Sequence, residues 1–444
     1  MGLVRGLISL CSVLLLLTVA VWAEPPKFPP VPDAAKATAH FDAKVATDAW
    51  LATMTTQQKA NSNAYFEGGY WLILWDFLYT LAVMLLLLET KFSARIRDWT
   101  ERLVKLRFLQ SWLYWIIFSA VVYLLSFPST VYEGYFREHN YGLSNLSFGG
   151  WFGEEMTGLA IAAVLGGLAF TALVAVVRRL PNSWHLWGTL VGIALLTIAI
   201  VIGPVFIAPL FNKYKPLENQ TIKQSILSLA RANGIPATDV YEVDASKQSK
   251  RVSANVSGFL GTERITLNDN LLARCSPQSI LSVMGHEMGH YVMHHIYNMV
   301  IFFTIVIAVM FWVLRRGMEN ALARWGNRWG LRGVSDVAAL PVAVVILTTL
   351  GFLFTPIGNS FTRAQEYEAD LYGLNAARQP DGEAEADVLL GEYRKMDPAP
   401  LEEIIFFDHP SGRTRIYAAM RWKAQNLCLF DATLPCTNKP DTVP

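Results

Sequence analysis

Six stretches of the chain, 70–88, 109–127, 157–177, 187–208, 296–314 and 337–355, are apolar for close to twenty residues each. That is the length a helix needs to cross the hydrocarbon core of a bilayer. In lipid the backbone must satisfy its own hydrogen bonds, so stretches of this length can cross only as helices. The expected fold is therefore mainly α, a multi-spanning membrane protein. Composition agrees, with 53% of the 444 residues hydrophobic and 16% charged, too apolar for an ordinary soluble chain. A net charge of +1 offers no basic footprint, so nucleic acid is not expected as a partner; the lipid bilayer is. Four cysteines without a CxxC pair argue against a thiolate-rich zinc site. Apart from Asp76, the six stretches lack acidic and basic residues, whereas transporters and ion pumps need ionisable groups at membrane depth.

Ahead of these runs lies a seventh, Leu7 to Trp22, behind Arg5 and followed by Ala23 and a proline-rich stretch. It fits a secretory signal peptide ending near Ala23 and equally a short uncleaved first helix, which gives six to seven spans. Loop charges set the orientation. With Met1 inside, the inside segments 1–6, 89–108, 178–186 and 315–336 hold fourteen Lys and Arg, against five in the opposite short segments 24–69 and 128–156. Positive charge gathers on the cytoplasmic side, so residues 209–295 and everything from 356 onward are expected outside. In a bacterial inner membrane that side is the periplasm. Cys428 and Cys436 fall in that outer part, either as a disulfide or as two free thiols.

Between the outer segment and the fifth run stands "VMGHEMGHYVMHH", residues 283–295, with four of the eight histidines. His286 and His290 are four apart, so on a helix both imidazoles leave one face and can grip one zinc ion. Glu287, between them, can act as general base toward a water that the ion activates. Ser276 can cap this helix and Pro277 can occupy its first position. HExxH alone also occurs by chance, and a catalytic ion needs a third protein ligand. "NSFTRAQEYEADLYGL", residues 359–374, supplies a candidate, since Glu366 and Asp370 share a helix face. Glu366 can be the third ligand, and Asp370 can hydrogen-bond a ligand histidine and fix its ring. By itself that segment reads as a solvated helix face. His294 and His295 are expected to continue the HExxH helix, either near the membrane interface or behind the ligands; His294, four after His290, can in principle add a ligand.

At this point the sequence resembles the type I CAAX prenyl endopeptidase family, integral-membrane zinc metallopeptidases of the gluzincin kind. The likeness runs over roughly 50–425. It is carried by "STVYEGYFREHNYGLS" (129–144), "GPVFIAPLFNKYKPLEN" (203–219), "YEVDASKQSKRVSANVSGFLGTERITLNDNLL" (241–272), "HEMGH", "TRAQEYEAD" and "DHPSGRTRI" (408–416), in that order. The resemblance implies one zinc ion per chain held by His286, His290 and Glu366, Glu287 as base and Asp370 as orienter. It adds His409 and Arg415 near the metal, where donors can stabilise the oxyanion. Arg363 stays outside the catalytic set as a structural residue. The family fold has spans around a water-filled chamber capped by a zincin-like α+β catalytic part.

The expected division is therefore a signal peptide or first helix (1–23), a non-cytoplasmic segment (24–69), four spans (70–208), the peptidase domain's first part (209–295), two spans with a cytoplasmic loop (296–355), its second part (356–425) and a tail (426–444). "RVSANVSGF" and "ERITL" read as short strands, and a peptide or protein substrate can add itself as a strand near 252–259. Residues 379–403 read as an acidic surface insertion, either a lid or a solvated loop. Prenyl-protein members of the family present their site to the cytosol, opposite to the side the loop charges give here. The expected function is a zinc-dependent endopeptidase acting on membrane or exported proteins. A cytosol-facing CAAX-type C-terminal processing protease and a non-catalytic zinc-binding membrane scaffold are the alternatives; Glu287, which structural zinc does not need, favours an enzyme.

Overall fold

Apolar runs extended at their ends by polar turns make helices longer than a bilayer is thick. In the computed structural model, which describes residues 28–257 and 264–436, five helices are long and apolar enough to span a membrane. They are Thr56–Glu89, Arg107–Asn140, Phe148–Arg179, His295–Trp329 and Val337–Ala377. A bent pair, Trp184–Ile200 with Gly203–Leu210, turns by 45° and is either a broken sixth span or a re-entrant loop. Gly203-Pro204 sits at the bend, where proline lacks the N–H that would continue the ladder. The run at 7–22 lies outside the described residues. The first span begins well before its apolar run because Thr55 accepts from Gln58 N and the Gln58 side chain reciprocates, a capping box. Side chains such as Leu124 and Leu353 project fully from these rods, as lipid contact requires.

The segment between the bent pair and His295 folds into a small mixed sheet with helices. Its strands are β1 Tyr214–Pro216, β2 Val240–Val243, β3 Ala254–Ser257 and β4 Arg264–Asn268, in the order β1-β2-β4-β3. β2 and β4 pair in parallel and the other pairs are antiparallel, leaving β3 on one edge. The helix Gln220–Ala232 starts at Asn219, whose side chain accepts from Ile222 N. Its Ile226 and Leu227 join Val240, Ile265 and Leu267 from the sheet, and Met284 and Met288 from the HExxH helix, in one core. Each such buried side chain contributes about 1.5–3 kcal/mol.

The last span and the acidic segment are one rod, Leu340–Ala377, which runs through Pro356 without ending. Three shorter helices follow: Pro380–Leu390, Pro400–Phe406 and Gly412–Gln425. The expectation of a surface insertion at 379–403 is corrected here. Glu383, Ala384, Ala386 and Asp387 are buried, because Pro380–Leu390 packs against both the HExxH helix and Gly412–Gln425. Trp50, from the helix Ala43–Ala52, closes a second core with Leu374, Ile416 and Met420. Cys428 and Cys436 form a disulfide, Cα–Cα 5.1 Å. The Cys275 thiol is buried and pushed up to about 12 by that burial.

Candidate active site

The HExxH helix, Pro277–Val292, starts where the sequence places its cap: Ser276 accepts from Ser279 N and Pro277 takes the first turn. Met284 and Met288 point into the core, and Gly285 and Gly289 face the acidic rod. A Cβ on Gly373 of that rod would lie 2.7 Å from His286 N, and one on Gly285 would lie 3.0 Å from the Gly373 carbonyl oxygen. Glycine on both sides lets the two backbones touch. Only at that separation do Glu366 and Asp370 reach the histidines.

His286 Nε2 and His290 Nε2 face each other at 3.1 Å. Glu366 Oε2 stands 3.2 Å from His286 Nε2, and its Oε1 stands 3.5 Å from His290 Nε2. A tetrahedral ion with bonds of ~2.0–2.1 Å separates its ligand atoms by about 3.3–3.4 Å, so one ion fits among them. Glu366 Oε2 is buried without a hydrogen-bond donor, and two imidazoles with a carboxylate are a usual donor set for a catalytic ion. These three side chains can therefore hold one metal ion. Burial pushes the neighbouring Glu287 carboxyl up, against the pull of His286 and His290.

Asp370 accepts from His286 Nδ1 at 2.8 Å, leaving Nε2 for the ion. Burial disfavours a charged His286, but Asp370 and Glu366 outweigh it and raise its pKa well above the usual value. Arg415 donates to Asp370 through Nε at 2.9 Å and Nη2 at 2.5 Å. Its Nη2 also reaches Glu383 at 3.2 Å, and its Nη1 reaches Asp387 at 3.0 Å. Burial opposes that charge, but the three carboxylates hold Arg415 well above its usual value. Every nitrogen of Arg415 is thus engaged, and the guanidinium orients Asp370 rather than standing free for an oxyanion. Burial drives the Asp387 carboxyl well up, with Glu383 and Asp370 adding to it against Arg415.

His409 comes to the site from the loop before Gly412–Gln425, with Nε2 3.2 Å from Glu366 Oε2. Asp408 sits 2.8 Å from its Nδ1. Arg363 secures this loop by donating to the carbonyls of Glu403 and Phe407 at 2.8 and 2.5 Å. A cavity of about 240 Å³ opens here, its lining including His286, Glu287, His409 and Arg415 together with Val252, Ser253 and Ala254 at and just before the start of β3. His294 and His295 do not continue the HExxH helix. His294 takes a left-handed backbone, φ 58°, and His295 begins the next helix.

Two family models match this chain in succession. Peptidase family M48 matches residues 216–423, and the CAAX prenyl protease N-terminal region, five membrane helices, matches 41–213. Over residues 216–423 the chain is similar to peptidase family M48. It is an integral-membrane metalloendopeptidase. A metalloprotease of Bacillus subtilis, YhfN, is 29% identical over 352 residues, 78% of this chain and 82% of that one. CAAX prenyl protease 1 of Saccharomyces cerevisiae is 29% identical over 318 residues, 68% and 70% of the two chains. The crystal structure of S. mikatae Ste24p shares the fold, with a TM-score of 0.71 at 24% identity over 83% of this chain and 89% of that one.

Several members of this site carry no motif: Glu383, Asp387 and Ser282, whose hydroxyl donates to Glu383 at 2.6 Å. The readable signal is "PDGEAEAD", where Gly382, Ala384 and Ala386 mark a closely packed helix and Glu383 and Asp387 sit four apart. His295, whose Nδ1 meets His290 Nδ1 at 2.8 Å, shows in the sequence only as a histidine beside HExxH.

Proposed function

We propose that this peptidase uses one zinc ion, held by His286, His290 and Glu366, to hydrolyse peptide bonds of membrane or exported proteins on the non-cytoplasmic face. The observation that carries the reading is the grouping of those three ligand side chains beside a cavity that His286, Glu287 and His409 line. Zinc, when bound, supplies a Lewis acid that polarises the scissile carbonyl and acidifies water. Glu287 takes a proton from the attacking water and returns it to the leaving amine nitrogen as the C–N bond breaks. Asp370 keeps the His286 proton on Nδ1, and Arg415 positions Asp370. His409, braced by Asp408, donates to the carbonyl oxygen as charge develops there.

β3 supports binding by strand addition. Among the described residues it pairs only with β4, and its first residue, Ala254, lines the cavity. A substrate backbone laid along the free edge is held by its amides and carbonyls, without reading side chains. The expected substrate strand reaches 259, and positions 258–263 lie outside the described residues. On this reading 209–295 and 356–425 are two parts of one peptidase domain interrupted by two spans.

The loop charges support a periplasmic site if the cell is bacterial, and the disulfide agrees with an oxidising compartment. The likeness to CAAX prenyl protease 1 of yeast favours the second reading, C-terminal processing of CAAX-type proteins from the cytosol. The reaction is tested with Glu287→Gln on an unfolded protein substrate. Zinc content should stay at one per chain while kcat falls by at least about 10²–10⁴-fold. Undiminished turnover with bound zinc would remove Glu287 from the mechanism.

A further inference from the structure

The HExxH helix stops at Val292, and the left-handed residue His294 turns the chain so that His295 lands behind His290. The two Nδ1 atoms are 2.8 Å apart. His295 is 2% exposed. Its other ring nitrogen, Nε2, faces Glu368 Oε2 at 3.4 Å, a charge contact without the alignment of a full hydrogen bond. We propose that His295 and Glu368 are positioning residues that fix the tautomer of His290 and so its hold on the metal. The inference rests on the reading of His290 as a ligand.

The chemistry follows from what a neutral imidazole can do. A ring that binds an ion through Nε2 carries its proton on Nδ1, and that N–H needs an acceptor. The atom in front of His290 Nδ1 is His295 Nδ1, so His295 must accept there. A ring that accepts at Nδ1 carries its own proton at Nε2, where a carboxylate stabilises it, and Glu368 is the carboxylate that faces Nε2. The opposite tautomer of His295 would set two N–H groups against each other and turn His290 away. The acidic rod then serves both ligand rings from alternate residues of "EYEAD". Asp370 acts on His286 directly, Glu368 acts on His290 through His295, and Glu366 at the start of the run faces both ligand rings.

The test is zinc affinity of the full-length protein, read by competition with a chromophoric chelator. His295→Ala should weaken zinc binding by about 10–100-fold, the usual cost of losing a group that orients a ligand. Two amides separate positioning from packing. Asparagine can place its oxygen where Nδ1 was and still accept from His290, so His295→Asn should stay within about threefold of the wild type. Glutamine places its amide where Nε2 was and leaves His290 Nδ1 unpaired, so His295→Gln should resemble the alanine variant. Glu368→Gln, which still offers an oxygen to Nε2, should lose less affinity than Glu368→Ala. Equal weakening by the asparagine and glutamine variants, or wild-type affinity in His295→Ala, overturns the proposal. His290→Ala is the control. If it binds zinc as the wild type does, the ligand assignment itself fails, and that outcome is distinct from a failure of the relay.

Discussion

Gly373→Ala should damage the metal site without touching a ligand. The added Cβ would sit 2.7 Å from His286 N, 3.0 Å from His286 Cα and 3.1 Å from the Gly285 carbonyl carbon. All three atoms are backbone and cannot rotate away. Ordinary contact begins near 3.4 Å, so the acidic rod must retreat from the HExxH helix by roughly 0.7 Å. Added to the 2.8 Å from Asp370 to His286 Nδ1, that retreat stretches the bond past hydrogen-bonding range. Alanine favours a helix over glycine by about 1 kcal/mol, while overpacking costs about 1–3 kcal/mol, so stability falls by about 0–2 kcal/mol and the site's geometry shifts as well. Misplacement on this scale costs up to about 10²-fold in kcat/KM, and zinc affinity should fall by about 10-fold or more. Gly351→Ala, on the same rod with nothing within 4 Å of its Cβ, is the control and should match the wild type in both. The assay is chelator competition for zinc followed by peptide hydrolysis on the same samples. Wild-type affinity and turnover in Gly373→Ala would refute the claim that close approach of the two helices builds the site.

Arg415→Ala leaves Asp370, Glu383 and Asp387 without their shared cation. Breaking a buried pair in this way costs about 3–5 kcal/mol, so the thermal midpoint should drop sharply in detergent; an unchanged midpoint contradicts the buried network. Metal binding should depend on pH with a definite sign. Asp370 and Glu366 raise the pKa of metal-free His286 above 6.5, so a proton competes with the ion until pH exceeds that raised value, and apparent zinc affinity should keep rising above pH 6.5. Asp370→Asn should shift that rise to lower pH, and a titration identical to the wild type would reject the coupling. A reporter active only outside the cytoplasm, fused after Pro444, should be active; activity of a cytosol-only reporter at the same place would instead support the C-terminal processing reading.

The parts that were legible in the sequence are those with a period or a spacing. Apolar runs near twenty residues mark the five described spans and the bent pair, and the cap at Ser276-Pro277 marks the start of the HExxH helix. His286, His290 and Glu366 are readable because four-residue spacing puts ligands on one face. Long-range pairing was not legible. Arg415 carries a motif signal as a charge near the metal, yet its role is set by three carboxylates from two other helices. Glu383 and Asp387 look like solvated acids locally, and only the packing of their helix against the HExxH helix buries them. His295 was misplaced because nothing in "YVMHH" announces the left-handed residue that turns the chain.

The central claim is that one zinc ion sits among two imidazoles and a carboxylate. X-ray absorption at the zinc edge of the purified full-length protein tests it most directly. The account predicts about one zinc per chain with only nitrogen and oxygen neighbours at ~2.0–2.2 Å, including two imidazole rings, and one ring fewer in whatever zinc His290→Ala retains. A sulfur neighbour at about 2.3 Å, or a spectrum unchanged by His290→Ala, would contradict it.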